Sequence, residues 1–489
     1  MTFTETPFWI LAAATFALWL MCRRSQSQVI ALLLIASAVF YGYHNWSLLP
    51  LILTYCVVNW GVALGFQKTR TPRLLLGLGV GFNLAVLAYW KYTPLLLSTA
   101  ARICLRLNWT PPSLASASWT TPFGISFYAF TGIAYMVDVF RGLTTAERSL
   151  PRYVLSAIFF PHLVAGPILR PNEFLERLRP LSMPDRPEAP LEAAMLLARG
   201  FFKKVVLADR VSRAIDPFFV HVGDASTAGV WSLPYVYLYA LQIYLDFSAY
   251  TDIARGLGLL FGYRWPENFY LPYLATSIQE FWRRWHITLS RFLRDYLYVA
   301  LGGNRRGPVR TYANLMITML LGGLWHGASW SFLLWGGLHG CFLVINRLWS
   351  ESRVGRGVNV LADRISYVGG IWTAFCWLLT FHCVCLAWCF FRLSNLAESL
   401  ACVRKTVRFD PQLMWVGGAF DPSLIALVAY ALFVWIALRP AKKLLATGWR
   451  PTPTPLMHGF VWGFSLSLLL LALLLSPGGE SPAFIYFQF

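Results

Sequence analysis

Two histidines have surroundings suited to proton transfer. His326 sits in GGLWHGASW (322–330), inside a run from 311 to 346 that holds no Asp, Glu, Lys or Arg. Gly322, Gly323, Gly327, Ala328 and Ser329 flank it, so another helix or a thin substrate can come close. An ionisable group inside an apolar span is costly and marks a site or pathway by default. His286 is the second candidate, in FWRRWHITLSRFLRDYLYVALGGNRRGPVR (281–310). Between the two lie an interfacial segment, a basic turn at 302–310 and half a span. Both side chains can therefore approach one buried point, His286 from the cytoplasmic rim and His326 from the membrane interior. The chemistry would be general-base removal of a hydroxyl proton by a neutral imidazole. The competing reading is that each is a satisfied structural histidine.

Wound at about 100° per residue, 281–310 puts Trp282, Trp285, Leu289, Phe292, Leu293, Tyr296 and Leu297 on one stripe. Arg283, Arg284, Arg291, Arg294 and Asp295 fall opposite, with His286 at the stripe's edge. This predicts one helix lying along the cytoplasmic interface. Its arginines either anchor it there or recognise phosphates, for which a planar, always-charged guanidinium is suited.

Those side chains need a scaffold, and composition supplies its class. Of 489 residues 57% are hydrophobic and 13% charged, against about a quarter charged in a soluble domain. At about 20 apolar residues per crossing, spans fall near 8–21, 29–44, 48–66, 74–97, 123–140, 228–262, 311–348, 368–391, 423–438 and 456–476. The stretches 228–262 and 311–348 each read as two helices, for roughly 10–12 crossings. No recurrent period-2 pattern suggests a membrane barrel. The expectation is an all-α polytopic membrane protein with one domain over 1–489.

The first apolar run has no basic residue before it and Arg23–Arg24 after it, unlike a cleavable signal peptide. Basic residues fall on alternate loops (Arg23 and Arg24; Lys68, Arg70 and Arg73; Arg141, Arg148 and Arg152), which places the N-terminus outside. The basic loop 439–450 then lies inside, and the tail SPGGESPAFIYFQF returns to the periplasm. The formal charge of +19 is thus mostly topology, and no separate basic domain supports nucleic-acid binding.

The most polar interval, 169–210, reads as a proline-broken loop followed by an amphipathic interfacial helix, LEAAMLLARGFFKKVVLADR. Before it, FFPHLVAGPILRP is too short and broken for a plain span and fits a re-entrant segment. Cys376, Cys383, Cys385 and Cys389 lie in an apolar helix, where cysteine packs as a small hydrophobe; no metal site is expected. His339 lies about 220° further round a continuous helix from His326, so it need not share that site. It is read as structural, with His162 and His382. Asp246 and Asp252 either line a polar path or pair with helix neighbours.

Several stretches resemble the membrane-bound O-acyltransferase family. They are PFGISFYAFTGIAYMVDVFRG, FFPHLVAGPILRP, GFFKKVVLADR, QIYLDFSAYTDIARGLG, NFYLPYLATSIQEFWRRWHITLSRFLRDYLYVALGGNR, GLWHGASWSFLLWGGLHG and the terminal FIYFQF. They run in order through about 122–345 plus the end, and are most similar to the bacterial branch that O-acetylates alginate-like exopolysaccharide. The resemblance implies a helical fold around a tunnel, a catalytic His326 and a second active-site position at His286. It also implies acetyl-CoA as cytoplasmic acetyl donor, and the phosphate reading of the arginine face then makes Arg283, Arg284, Arg291 and Arg294, with Trp282, the candidate donor-binding residues. The acetyl group would pass to a periplasmic or lipoprotein acetyltransferase partner, and through it to a polysaccharide, across the inner membrane of a bacterium. Peptidoglycan O-acetylation, D-alanyl transfer from a carrier protein, and a non-catalytic transporter or export subunit are the alternatives. Transporters often carry internal repeats, and none is visible here.

Overall fold

The structure is a computed structural model that describes residues 1–43, 45–110, 122, 124–163, 166–178, 187–224, 231–408, 463, 466, 467 and 484. Among these the chain is helical, without strands. It divides into two compact units, Met1–Glu188 with Gly258–Thr380, and Ala189–Leu257 with Phe381–Gln488.

The first unit opens with α1 (Thr6–Cys22), α2 (Gln26–Gly42), α3 (Leu49–Gly65), α4 (Pro72–Leu87), α5 (Thr93–Arg106), α6 (Ile125–Phe140), α7 (Leu150–Ile158) and α8 (Pro171–Leu175). Proline stands in the first turn of α1, α3, α4, α5, α7 and α8, where its missing N–H costs no helical bond. A π-helical turn, Ala88–Tyr92, joins α4 and α5 into one apolar stretch. Buried Asn59 and Asn83 bond each other across α3 and α4, Nδ2 of Asn83 donating to Oδ1 of Asn59 at 2.6 Å.

The second unit holds α9 (Pro190–Phe201), a π-helical turn (Phe202–Ala208), α10 (Asp209–Val220) and most of α11 (Leu233–Leu260). The first unit resumes with α12 (Ile278–Arg284), α13 (Ile287–Phe292), a π-helical turn (Leu293–Tyr298), α14 (Pro308–His326), α15 (Trp330–Glu351) and α16 (Arg353–Arg364). Then α17 (Ser366–Arg392) leads back to the second unit and α18 (Leu396–Val407).

Among the described residues, four helical stretches are long and apolar enough to cross a membrane: Trp46–Gly65, Pro72–Arg106, Trp330–Glu351 and Ser366–Arg392. Shorter apolar helices are Thr6–Cys22, Gln26–Gly42 and Ile125–Phe140. The chain is an all-α membrane protein. The 311–348 stretch divides into α14 and α15, as its length predicts. The 228–262 stretch does not divide. It forms the single 28-residue α11, because nothing between Leu233 and Leu260 offers the extended glycine and serine cap that interrupts 327–329. After α7 ends at Ile158, the described residues of FFPHLVAGPILRP form turns and extended chain rather than a span. The spans at 423–438 and 456–476, the loop 439–450 and the terminal motif lie outside the described residues, apart from isolated positions.

Candidate active site

α14 and α15 form a hairpin, and the break between them makes the site. Gly327 is extended (φ −163°, ψ 151°), and the Ser329 hydroxyl caps α15 by accepting from the Phe332 N–H at 3.3 Å. His326 is therefore the last residue of α14, buried at 4% exposure. The helices approach closely because Gly323 and Gly336 carry no Cβ. One added at Gly323 would collide with the Phe332 carbonyl, and one at Gly336 with the Met319 carbonyl. The small residues flanking His326 thus admit α15. Its Trp335 ring stands edge-on to the His326 imidazole, 5.0 Å between centroids.

His286 arrives on chain that cannot span a membrane: α12 and α13 have seven and six residues. Here the continuous interfacial helix expected over 281–310 is corrected. His286 has φ 41° and ψ 54°, in the left-handed region, and separates α12 from α13. Such a backbone costs on the order of 1–3 kcal/mol outside glycine and persists where surroundings hold it. Asn268 does the holding. Its carbonyl accepts from the Ile287 N–H at 2.9 Å, and its Oδ1 accepts from the Thr288 N–H at 3.1 Å and the Thr288 hydroxyl at 2.9 Å. The apolar stripe survives the break: Trp282, Trp285, Leu289, Phe292 and Leu293 are all buried.

Asn268 also sets the imidazole's tautomer. Its Oδ1 lies 3.2 Å from Nδ1 of His286 and, because a backbone N–H donates to the same atom, that atom is the oxygen. Nδ1 must carry the hydrogen, which leaves the lone pair on Nε2. Burial pushes the His286 imidazole down to about 3, so it is neutral at working pH.

The two candidates meet. The His286 and His326 rings are 6.5 Å apart between centroids, and both flank Trp325, at 6.1 Å and 4.8 Å. His339 joins this cluster, which corrects its expected separation. The 220° estimate assumed a continuous helix, and the turn at Gly327 brings α15 back alongside α14. Trp335 lies between His326 and His339, 4.8 Å from the latter. Trp282 belongs with the histidines rather than the arginines: it is buried, and its Nε1 donates to Nδ1 of His339 at 3.3 Å.

The arginines lie on the outer side, largely matched by carboxylates. Arg283 and Arg294 are exposed. Arg284 pairs with Glu280, Arg294 with Asp295 at 2.6 Å, and Arg291 lies 3.9 Å from Glu173. Arg170, from the approach to α8, also pairs with Asp295. Arg170 and Arg291 line one cleft with Glu173, Thr288, Phe292 and Tyr296. Thr288 there is bonded to Asn268, so the cleft lining touches the residue that anchors His286. An adjoining cleft sharing Leu169, Glu173 and Pro266 adds Arg177 and Arg264.

Sequence reasoning missed Asn268, Trp335 and Arg170 as members of the site. Asn268 and Arg170 lie in family-like stretches, and a polar amide before an apolar run was the one local signal for Asn268. Asp246 and Asp252 form ion pairs. Asp252 accepts from Arg199 and Lys203 at 2.6 and 2.7 Å, and Lys204 bridges Asp209 and Asp246 at 2.8 and 3.0 Å. Three cations meet three carboxylates, a balanced set that holds α9, its π-helical turn and α11 together. His382 bonds the Tyr237 hydroxyl at 2.6 Å, and His162 packs between Phe159, Phe174 and Trp265.

The profile of the membrane-bound O-acyltransferase family matches residues 139–393, a range that contains His286, His326 and His339. A probable alginate O-acetylase of Pseudomonas putida is 35% identical over 514 residues, covering 100% of this chain and 100% of the relative. A peptidoglycan O-acetyltransferase of Helicobacter pylori is 35% identical over 408 residues, covering 77% of this chain and 73% of the relative. A teichoic acid D-alanyltransferase of Streptococcus thermophilus is 31% identical over 243 residues, covering 47% of this chain and 58% of the relative. The chain belongs to the membrane-bound O-acyltransferase family and is a membrane-embedded acyltransferase.

Proposed function

We propose that this protein takes acetyl groups from cytoplasmic acetyl-CoA and passes them across the bacterial inner membrane for O-acetylation of an exopolysaccharide, alginate-like or cellulose. The observation that carries the proposal is the meeting of His286 and His326 in one buried aromatic cluster. An acetyl group activated for transfer is kept from hydrolysis where water is scarce, and a buried aromatic cluster excludes water.

His326 acts as general base. It removes the proton of the acceptor hydroxyl as that oxygen attacks the acetyl carbonyl; the C–S bond breaks, and the leaving CoA thiolate takes that proton from the His326 imidazolium, which restores the neutral base. His286, held through Nδ1 by Asn268, orients the donor at the rim. Arg283, Arg284, Arg291 and Arg294 meet the donor's phosphates, with Arg170 lining the same cleft as Arg291, and Trp282 backs the acetyl end. A periplasmic or lipoprotein acetyltransferase receives the acetyl group and delivers it to the polysaccharide. The chain works as a single membrane domain with both termini periplasmic.

Relatives support a second reading, in which the acceptor is peptidoglycan or the group transferred is D-alanyl from a carrier protein. Purified full-length protein in detergent separates acetyl from D-alanyl transfer, and the acetyl content of exopolysaccharide and of peptidoglycan from cells separates the two acceptors. Acetyl-CoA consumption that rises when the periplasmic partner is added supports the first. Consumption only of a D-alanyl carrier thioester replaces it with the second.

A further inference from the structure

α14 stops at His326 and so leaves its last carbonyls without donors from within the helix. The Gly323 carbonyl accepts from the Gly327 N–H. The next three are met from a distant part of the chain. The Tyr92 hydroxyl donates to the Leu324 carbonyl at 2.8 Å. Nζ of Lys91 donates to the carbonyls of Trp325 at 2.5 Å and His326 at 3.2 Å, and to the Ser126 hydroxyl of α6 at 3.3 Å. An ammonium has three N–H donors, and three oxygens receive them. A cation here also faces the negative end of the α14 dipole.

Both side chains come from the π-helical turn Ala88–Tyr92. On an α-helix, consecutive residues point about 100° apart; the wider turn changes that angle and aims both at one helix end. Isolated π-helical turns of this kind frequently occur at functional sites.

We propose that Lys91 and Tyr92 are positioning residues for acyl transfer: they clamp the last turn of α14 and so fix where the His326 imidazole points. The proposal rests on His326 acting in transfer, as read above. Lys91 holds the carbonyl of His326 itself, so only that residue's own torsions separate clamp from imidazole. Without the clamp the last turn frays, as helix ends do. A displacement of about 1 Å at a reacting group can cost about 10²-fold in rate.

The test uses full-length protein carrying Lys91→Met, which keeps the length and removes the donors, Lys91→Arg, which restores charge and donors, and Tyr92→Phe, a milder change that removes one hydroxyl. Two readouts are taken. Thiol release from acetyl-CoA should show kcat lowered about 10- to 100-fold in Lys91→Met, with KM unchanged. Tyr92→Phe should fall less in the same direction, and Lys91→Arg should recover most of the rate. Diethyl pyrocarbonate labelling, located by mass spectrometry, should become several-fold faster at His326 in Lys91→Met, with exposed His221 as internal reference. Unchanged labelling of His326 in both Lys91→Met and Tyr92→Phe overturns the clamp. Faster labelling with an unaltered kcat overturns its role in transfer. If the wild-type protein releases no thiol from acetyl-CoA, the donor reading fails, and labelling alone decides the clamp.

Discussion

His286 and His326 present their rings to each other at 6.5 Å between centroids and an angle of 57°, although one starts a short helix and the other ends a long one. On the function proposed above, both imidazoles would face one reacting centre. General-base help is worth roughly 10²–10⁴-fold, so His326→Ala should reduce O-acetylation by that order. Glutamine keeps hydrogen bonds but cannot take a proton, and His326→Gln should be nearly as inactive. Polysaccharide acetyl content in cells, at matched membrane abundance, decides it: near-normal acetylation with glutamine removes the base from the mechanism.

The Asn268 contact makes a pH prediction. Burial holds the His286 imidazole down at about 3, so its neutral form persists through the usual assay range. Asn268→Asp places a carboxylate beside Nδ1, which favours the protonated imidazole and raises its pKa. Activity should then be lost as pH falls through the raised value, with the acid limb of kcat/KM moving upward by about 1–3 pH units. A profile that superimposes on the wild type would show that His286 protonation does not matter.

The arginines should not be equivalent. Arg291 and Arg170 line the cleft that Thr288 also lines, whereas Arg284 and Arg294 lie outside that lining and pair with Glu280 and with Asp295, the latter shared with Arg170. A charge-assisted hydrogen bond is worth about 1.5–3 kcal/mol. Arg291→Ala and Arg170→Ala should therefore raise the KM for acetyl-CoA about tenfold or more and flatten its salt dependence. Arg294→Ala should change it by about twofold. Equal effects at all positions would favour simple anchoring of the segment.

The α14–α15 approach is tested by volume. Gly336→Ala puts a methyl into the Met319 carbonyl, while the same change at Gly337 meets only Leu320 Cδ2 at 3.5 Å. Overpacking costs about 1–3 kcal/mol, so Gly336→Ala should lower Tm in detergent by several degrees and Gly337→Ala should not. Matching melting curves would mean that the hairpin can separate without loss.

By itself the sequence determined the membrane class, most helix positions and the isolation of His326, because hydropathy and proline or glycine punctuation act over one or two turns and are read locally. Length also predicted that 311–348 divides, while the extended Gly327 and the Ser329 cap that place the break came from the structure. Only the tertiary structure decided what meets the two histidines. The left-handed backbone at His286 depends on Asn268, which stands outside any periodic pattern containing His286. The return of α15 brings His339 and Trp335 to the site, where a continuous helical wheel would turn His339 away. Lys91 reads as one basic residue in an apolar span until the end of α14 is laid against it. Asp246 and Asp252 read as buried charges until Lys204, Arg199 and Lys203 are found opposite. Hydrogen bonds and ion pairs between distant segments have no period along the chain, so they become legible only when the fold brings the partners together.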